Sequence, residues 1–217
     1  MKKSAVVLLS SGLDSSVNLY KAISELNVLR ALTFNYGQRA AKKEIAQSRE
    51  LCGLLGIEHQ VIEIPWLKDI TKTSLVNTGE DVPVGASVSI DNFKTSMETA
   101  KAVWVPNRNG VFLNIAAAVA EGLGAEYVIP GFNAEEATTF PDNSVAYLKA
   151  LDHSFSFSTA TGVKTLCYTA EMDKTQIVAM GRKLQVPFEK LWPCYFSGDT
   201  WCGQCESCQR FQRAVQA

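Results

Sequence analysis

Apolar runs and amphipathic stretches alternate along most of this chain. Residues 5–9 form a continuous apolar run that reads as a buried strand. A small-residue polar turn follows at 10–14, and a helical pattern starts near Ser15, with Val17, Leu19, Tyr20 and Ile23 apolar. A second strand is predicted at 28–34, a polar turn at 35–39, and a helix at 42–55 with Ile45, Cys52 and Leu55 near one face, ended by Gly56. A third strand spans 59–64. The rhythm breaks at 65–100, where Pro65, Gly79, Pro83 and Gly85 interrupt a weakly periodic segment. Such a stretch reads as a mobile lid, a partner-binding segment or a plain surface loop.

The alternation resumes with a helix at 111–123, rich in alanine and capped by Gly124. A fourth strand at 127–132 carries Pro130, which is usual only at strand ends. A polar loop at 133–142, a helix at 143–157, a strand at 164–168 and a helix at 173–184 with Asp173 as N-cap complete the pattern. The prediction is an α/β fold: a parallel sheet with flanking helices and right-handed crossovers. Ligands then bind beyond the carboxyl ends of the strands. The turns at 10–14, 35–39 and 133–142 are the most polar and should share one rim.

The first turn has the parts of a phosphate cradle. Ser10, Ser11, Gly12, Leu13, Asp14, Ser15 and Ser16 run from a strand end into a helix start. That start offers unpaired N–H groups and a positive dipole end. Asp14 would repel phosphate unless it binds Mg²⁺ or caps the helix. No Gly-Lys-Ser/Thr follows, so this is not a Walker A loop. Near the other end, Cys194, Cys202, Cys205 and Cys208 stand in C-x7-C-x2-C-x2-C spacing. Four thiolates there can close a tetrahedral, structural Zn²⁺ site, with an iron–sulfur cluster as the metal rival. A short helix is expected at 209–215.

The 217 residues suit one sizeable domain at 1–190 with a small metal-binding segment at 191–217. Net charge is −1, which argues against strong non-specific nucleic-acid binding. No apolar run is long enough to span a membrane, no signal peptide is read, and a cytoplasmic location is expected.

The loop Ser10-Ser11-Gly12-Leu13-Asp14-Ser15 resembles the SGGxDS pyrophosphate loop (PP-loop) of the ATP pyrophosphatases. Together with Tyr36-Gly37-Gln38-Arg39, Val105-Pro106-Asn107-Arg108-Asn109, Phe140-Pro141-Asp142 and the cysteine cluster, the chain resembles the 7-cyano-7-deazaguanine synthase (QueC) family. The resemblance implies an adenine nucleotide alpha hydrolase-like, Rossmann-like fold. It implies an ATP-dependent C–N ligase of queuosine biosynthesis that turns 7-carboxy-7-deazaguanine and ammonia into the nitrile, through an activated carboxylate and an amide. It implies ATP, Mg²⁺ and Zn²⁺ and a deazapurine substrate; a homodimer is expected separately, through packing of exposed apolar tails.

Residue roles follow from the same resemblance. Leu8, Ser10 to Ser16, Thr33 and Phe34 would bind ATP. Tyr36, Gln38, Arg39, Arg108, Asn109, Gly131, Pro141 and Asp142 would bind substrate. Asp14, Arg108 and Lys174 would be catalytic. Glu135 and Glu136 are candidate partners of the deazaguanine, or members of a solvated loop. His59 and His153 read as structural. The chain departs from the family pattern at Ser11 and Asn107, where glycines are expected, and at Asn143-Ser144, where Cys-Arg is expected. Two other readings remain open. A paralogue could pass the activated carboxylate to a protein or peptide N-terminus and stop at the amide. A nucleotide- or tRNA-binding module could lack turnover altogether.

Overall fold

In the computed structural model, which describes residues 2–77, 79–88 and 102–217, five strands form one parallel sheet. They are β1 (Ser4–Leu8), β2 (Asn27–Asn35), β3 (His59–Glu63), β4 (Tyr127–Ile129) and β5 (Lys164–Thr165), in spatial order β3-β2-β1-β4-β5. Every pairing is parallel. The order reverses between β1 and β4, the place where open α/β sheets leave a crevice.

The alternation within β1 decides which helices cover which face. Ala5, Val7 and Leu9 pack with Leu19 and Ala22 of α1 (Leu13–Glu25) and Cys52 of α2 (Ala41–Leu55). Val6 turns to the other face, against α4 (Arg108–Leu123). There Leu113, Ala116, Ala117 and Ala120 are fully or almost fully buried, and the alanines let the helix lie close to the sheet. α3 is a single turn, Trp66–Asp69.

Several boundaries differ from the sequence expectation. α1 starts at Leu13, so Asp14 lies inside its first turn and does not cap it; Gly12 is the N-cap and makes no side-chain cap bond. β4 ends at Ile129 because Pro130 has no N–H to continue the ladder. The 133–142 loop contains a short helix, α5 (Ala134–Ala137), capped by the Asn133 side chain. α6 (Val145–Ser158) is capped by Ser144, and α7 (Lys174–Lys183) by Asp173 through a capping box with Gln176. The last helix, α8, runs Glu206–Gln216, longer than expected.

The described part of the irregular segment is packed rather than loose. Leu67, Leu75, Val76 and Val82 are buried, and Val84 bridges Cys205 across an antiparallel pair. The expectation of a lid also covers 89–100, which lies outside the described residues. Among the described residues, no helix is long and apolar enough to cross a membrane.

Candidate active site

A cavity of about 280 Å³ opens beyond the carboxyl ends of β1, β2 and β4. It brings together chain segments far apart in sequence. Ser10, Gly12, Leu13, Asp14 and Ser15 form one side, with Leu8, Thr33 and Phe34 beside them. Tyr36, Gln38, Arg108, Asn109, Gly131 and Lys174 also face it.

The loop after β1 is tightly held. Ser15 Oγ accepts from Ser10 N at 3.3 Å and lies 3.2 Å from Ser10 Oγ. Gly131, two residues beyond β4, explains why the two walls come so close. A Cβ there would stand 2.5 Å from Ser15 N and 2.6 Å from Ser15 Cα, so only glycine fits. The first-turn N–H groups of α1 have no helical acceptors.

Ser11 and Ser16 do not line the cavity, although both were expected at the nucleotide. Ser11 is fully buried with φ +58°, the left-handed conformation that favours glycine. Its hydroxyl donates to Ser10 O at 2.6 Å, and its carbonyl accepts from Trp192 N at 2.8 Å. The serine side chain therefore turns into the protein rather than toward a ligand. Asn107 repeats the pattern: φ is +50°, at the N-cap of α4. Asparagine tolerates this region better than most residues. Its Oδ1 sits 2.1 Å from where a Cβ on Gly110 would be, so the two residues are fitted to each other.

Asp14 belongs to a buried charge cluster. Lys174 Nζ donates to Asp14 Oδ2 at 2.5 Å and to Glu136 Oε1 at 2.9 Å. Asn133 Nδ2 donates to the same Asp14 oxygen at 3.1 Å. Burial would push the Lys174 ammonium down, but the two carboxylates outweigh it and hold it above the ordinary lysine value. Burial acts the other way on Glu136, yet Lys174 draws its carboxyl below the usual range. Two carboxylates face one cation, and Asp14 Oδ1 is buried with no hydrogen-bond partner. An orphaned carboxylate oxygen beside a phosphate cradle fits a Mg²⁺ ligand.

Glu135 and Glu136 are not a solvated loop. Glu135 accepts from Lys174 N at 2.9 Å and pairs with Arg210 at 2.8 Å and Arg213 at 3.3 Å. Both arginines come from α8, which starts after Cys205 and contains Cys208. Glu206, Ser207, Arg210 and Phe211 of that helix line the cavity, as does Tyr195. The segment that carries the cysteines thus supplies part of the cavity wall.

The four cysteine sulfurs lie within 4.8 Å of one another, and none is in a disulfide. Backbone N–H groups donate to two of them: Phe196 and Cys202 to Cys194 Sγ at 3.4 Å, Cys205 to Cys202 Sγ at 3.3 Å. Such bonds stabilise thiolates around a metal. The donor set fits a closed tetrahedral Zn²⁺.

Arg108 stands at the start of α4, one helical turn earlier than periodicity indicated. Its Nη1 donates to Tyr36 Oη at 3.4 Å, and it faces the carboxyls of Glu44 and Asp142. Asp142 accepts from Asn143 Nδ2 at 3.2 Å. Asn143 lines the cavity, whereas Asp142 and Pro141 do not, and Pro141 is exposed. Arg39 is turned away from it. Its guanidinium donates to the carbonyls of Ser74 and Asn77 at 2.7 Å, and to that of Glu80. Arg39 orders the segment after α3 and does not reach the cavity. His59 Nε2 is 2.8 Å from Thr33 Oγ1 on the sheet, and His153 packs edge-on against Phe157 on α6, both structural settings.

The family model for queuosine biosynthesis protein QueC matches residues 4–217. The chain belongs to the QueC family. Curated relatives agree along the full length. A 7-cyano-7-deazaguanine synthase of Bdellovibrio bacteriovorus is 60% identical over 213 residues, 98% of this chain and 92% of the relative. One of Carboxydothermus hydrogenoformans is 50% identical, covering 97% of each chain. Among solved structures, NMN synthetase from Francisella tularensis superposes with a TM-score of 0.52 at 19% identity, over 99% of this chain and 76% of that one. A 4-thiouridine synthetase in complex with RNA and ATP gives 0.51 at 16% identity, over 99% and 50%. These two share the fold of this chain.

Sequence reasoning missed Glu44, Phe112, Tyr195, Glu206 and Arg210, which the QueC fold carries to the cavity. Phe112 stacks on Phe34, with centroids 4.1 Å apart and planes within 6°. Glu44 had a usable signal, because it lies in the first turn of the helix that follows a rim turn. Burial raises its carboxyl to about 7, with Gln38 and Arg108 drawing it back.

Proposed function

We propose that this protein is an ATP-dependent C–N ligase that acts on the carboxylate of a 7-deazaguanine and carries it through the amide to the nitrile. The observation that carries this reading is one cavity that joins a phosphate cradle to Arg108, in a chain matched end to end by relatives named 7-cyano-7-deazaguanine synthase. A carboxylate resists nucleophiles because it is anionic and resonance-stabilised. Transfer of AMP to its oxygen makes a leaving group.

In this reading Ser10, Ser15 and the α1 N-terminus hold the ATP phosphates, and Thr33 and Phe34 meet the adenine. Arg108 binds the substrate carboxylate in the bidentate manner of a guanidinium. Lys174 balances charge beside the phosphates and keeps Asp14 oriented. Asp14 would hold Mg²⁺, which screens the phosphates when bound. Zn²⁺ on Cys194, Cys202, Cys205 and Cys208 would fix the start of α8, and with it one wall. The protein's contribution is positioning and charge stabilisation.

The test is to incubate the protein with ATP, Mg²⁺, ammonia and 7-carboxy-7-deazaguanine and follow product mass. The nitrile supports the reading. Asn143, a departure from the family pattern that lines the cavity, favours including the amide and amine conjugates among the masses sought. A product that stops at the amide would replace nitrile formation with the paralogue reading. ATP binding without any product would sink both.

A further inference from the structure

The cavity holds several carboxylates, and all but one have an evident occupation. Asp14 and Glu136 are bound to Lys174. Glu206 is paired with Arg210. Glu44 differs: one oxygen, Oε2, accepts a hydrogen bond at 2.9 Å from the neutral amide of Gln38. Among the described residues, no lysine or arginine is in salt-bridge contact with it, and Oε1 has no hydrogen-bond partner.

Its orientation is fixed from behind. Gln38 Nε2 also donates to Phe34 O at 2.9 Å, and Gln38 Oε1 accepts from Tyr36 N at 3.0 Å. The turn after β2 thus holds the carboxylate in place with groups that carry no charge. Facing it are the positive charge of Arg108 from α4 and the neutral phenol of Tyr36 from the same turn. Arg108 also faces the place where a substrate carboxylate would lie. In the ligase reading, Glu44 shares the cavity with that carboxylate and has one oxygen free to meet whatever attacks it.

We propose that Glu44 is the proton acceptor for the amine nucleophile. This rests on the ligase reading above. In the amide step, the amine nitrogen forms the C–N bond. The C–O bond to AMP breaks with its electron pair on the departing oxygen, and the surplus N–H proton moves to Glu44. In the nitrile step the nitrogen sheds its two remaining protons as the activated amide oxygen leaves, and the same carboxylate can accept them in turn. A buried carboxyl with a pKa near neutrality is suited to take and release a proton in each cycle. Gln38 is a positioning residue in this scheme.

The experiment separates the two halves of the reaction in Glu44→Gln, which keeps the size and the Gln38 contact. ATP–pyrophosphate exchange driven by the carboxylate alone, without amine, should stay within about threefold of wild type. Amide formation from ammonia should fall by about 100-fold or more. The wild-type rise in amide-forming rate through about pH 7 should vanish in the variant. Hydroxylamine is weakly basic and sheds its proton to water after attack, so it should close at least tenfold of the deficit. Equal loss in exchange and in amide formation would overturn the assignment, as would an unimpaired amide step. Absence of exchange in the wild type would instead remove the ligase reading, and the role of Glu44 with it.

Discussion

Lys174→Met tests the buried charge cluster directly. The ammonium is 2.5 Å from one carboxylate and 2.9 Å from another, with side-chain exposure of 10% for Lys174, 12% for Asp14 and 33% for Glu136. Methionine fills similar space but leaves two neighbouring carboxylates without their cation. Breaking a buried pair in this way costs about 3–5 kcal/mol. At common urea sensitivities, that lowers the unfolding midpoint by about 1–2 M. The loss should depend on pH. Without Lys174, burial and mutual repulsion raise at least one of the two folded-state carboxyls above its unfolded value. The folded variant then binds an extra proton. Its stability falls as pH rises from the unfolded pKa through the raised one. In the wild type, the Lys174 pKa is raised, so its contribution is fully present throughout this range. Urea unfolding at pH 7.5 and pH 5 should therefore show the variant's deficit shrinking at the lower pH by about 1–2 kcal/mol. A deficit under about 1 kcal/mol, or one equal at both pH values, would refute the account of this cluster.

Ser11→Gly should keep stability within about 1 kcal/mol of wild type, while Ser11→Val should lose about 2 kcal/mol or more, since a β-branched residue is strained at positive φ; unfolding midpoints decide it. Gly131→Ala should raise the KM for ATP and cost about 1–3 kcal/mol, because its Cβ meets the Ser15 backbone; a variant with unchanged KM would contradict the close packing of β4 on α1. Cys205→Ser should abolish stoichiometric zinc in metal analysis and increase protease cleavage within 194–216; full zinc occupancy in that variant would count against the four-cysteine site.

Much of the scaffold was readable because parallel strands announce themselves as apolar runs and their helices as amphipathic ones. The rim turns were readable too, since small polar residues at strand ends have few structural uses. What escaped had physical causes. Arg108 sits in the first turn of α4 because Asn107 starts the helix from a left-handed residue, a conformation that hydrophobic periodicity does not encode. Glu135 and Glu136 read as substrate partners or as a solvated loop because their protein partners, Arg210, Arg213 and Lys174, lie 38 or more positions away. Arg39 read as a substrate group because its type suited one. Its use on three backbone carbonyls depends on an irregular segment with no pattern of its own. Ser11 looked like an altered phosphate contact, yet its backbone angle and its hydroxyl direction are conformational facts.

The placement of α8 has a consequence for when this protein becomes competent during synthesis. A nascent chain folded as far as Leu191 has β1 to β5, the phosphate loop and Arg108, but lacks the wall made by Tyr195, Glu206 and Arg210. Glu135 gains Arg210 and Arg213 only once α8 has been added. A reactive adenylate formed before then would face water instead of protein. Completion of residues 194–216 is thus what closes that side of the cavity, since Tyr195, Glu206 and Arg210 all follow Leu191.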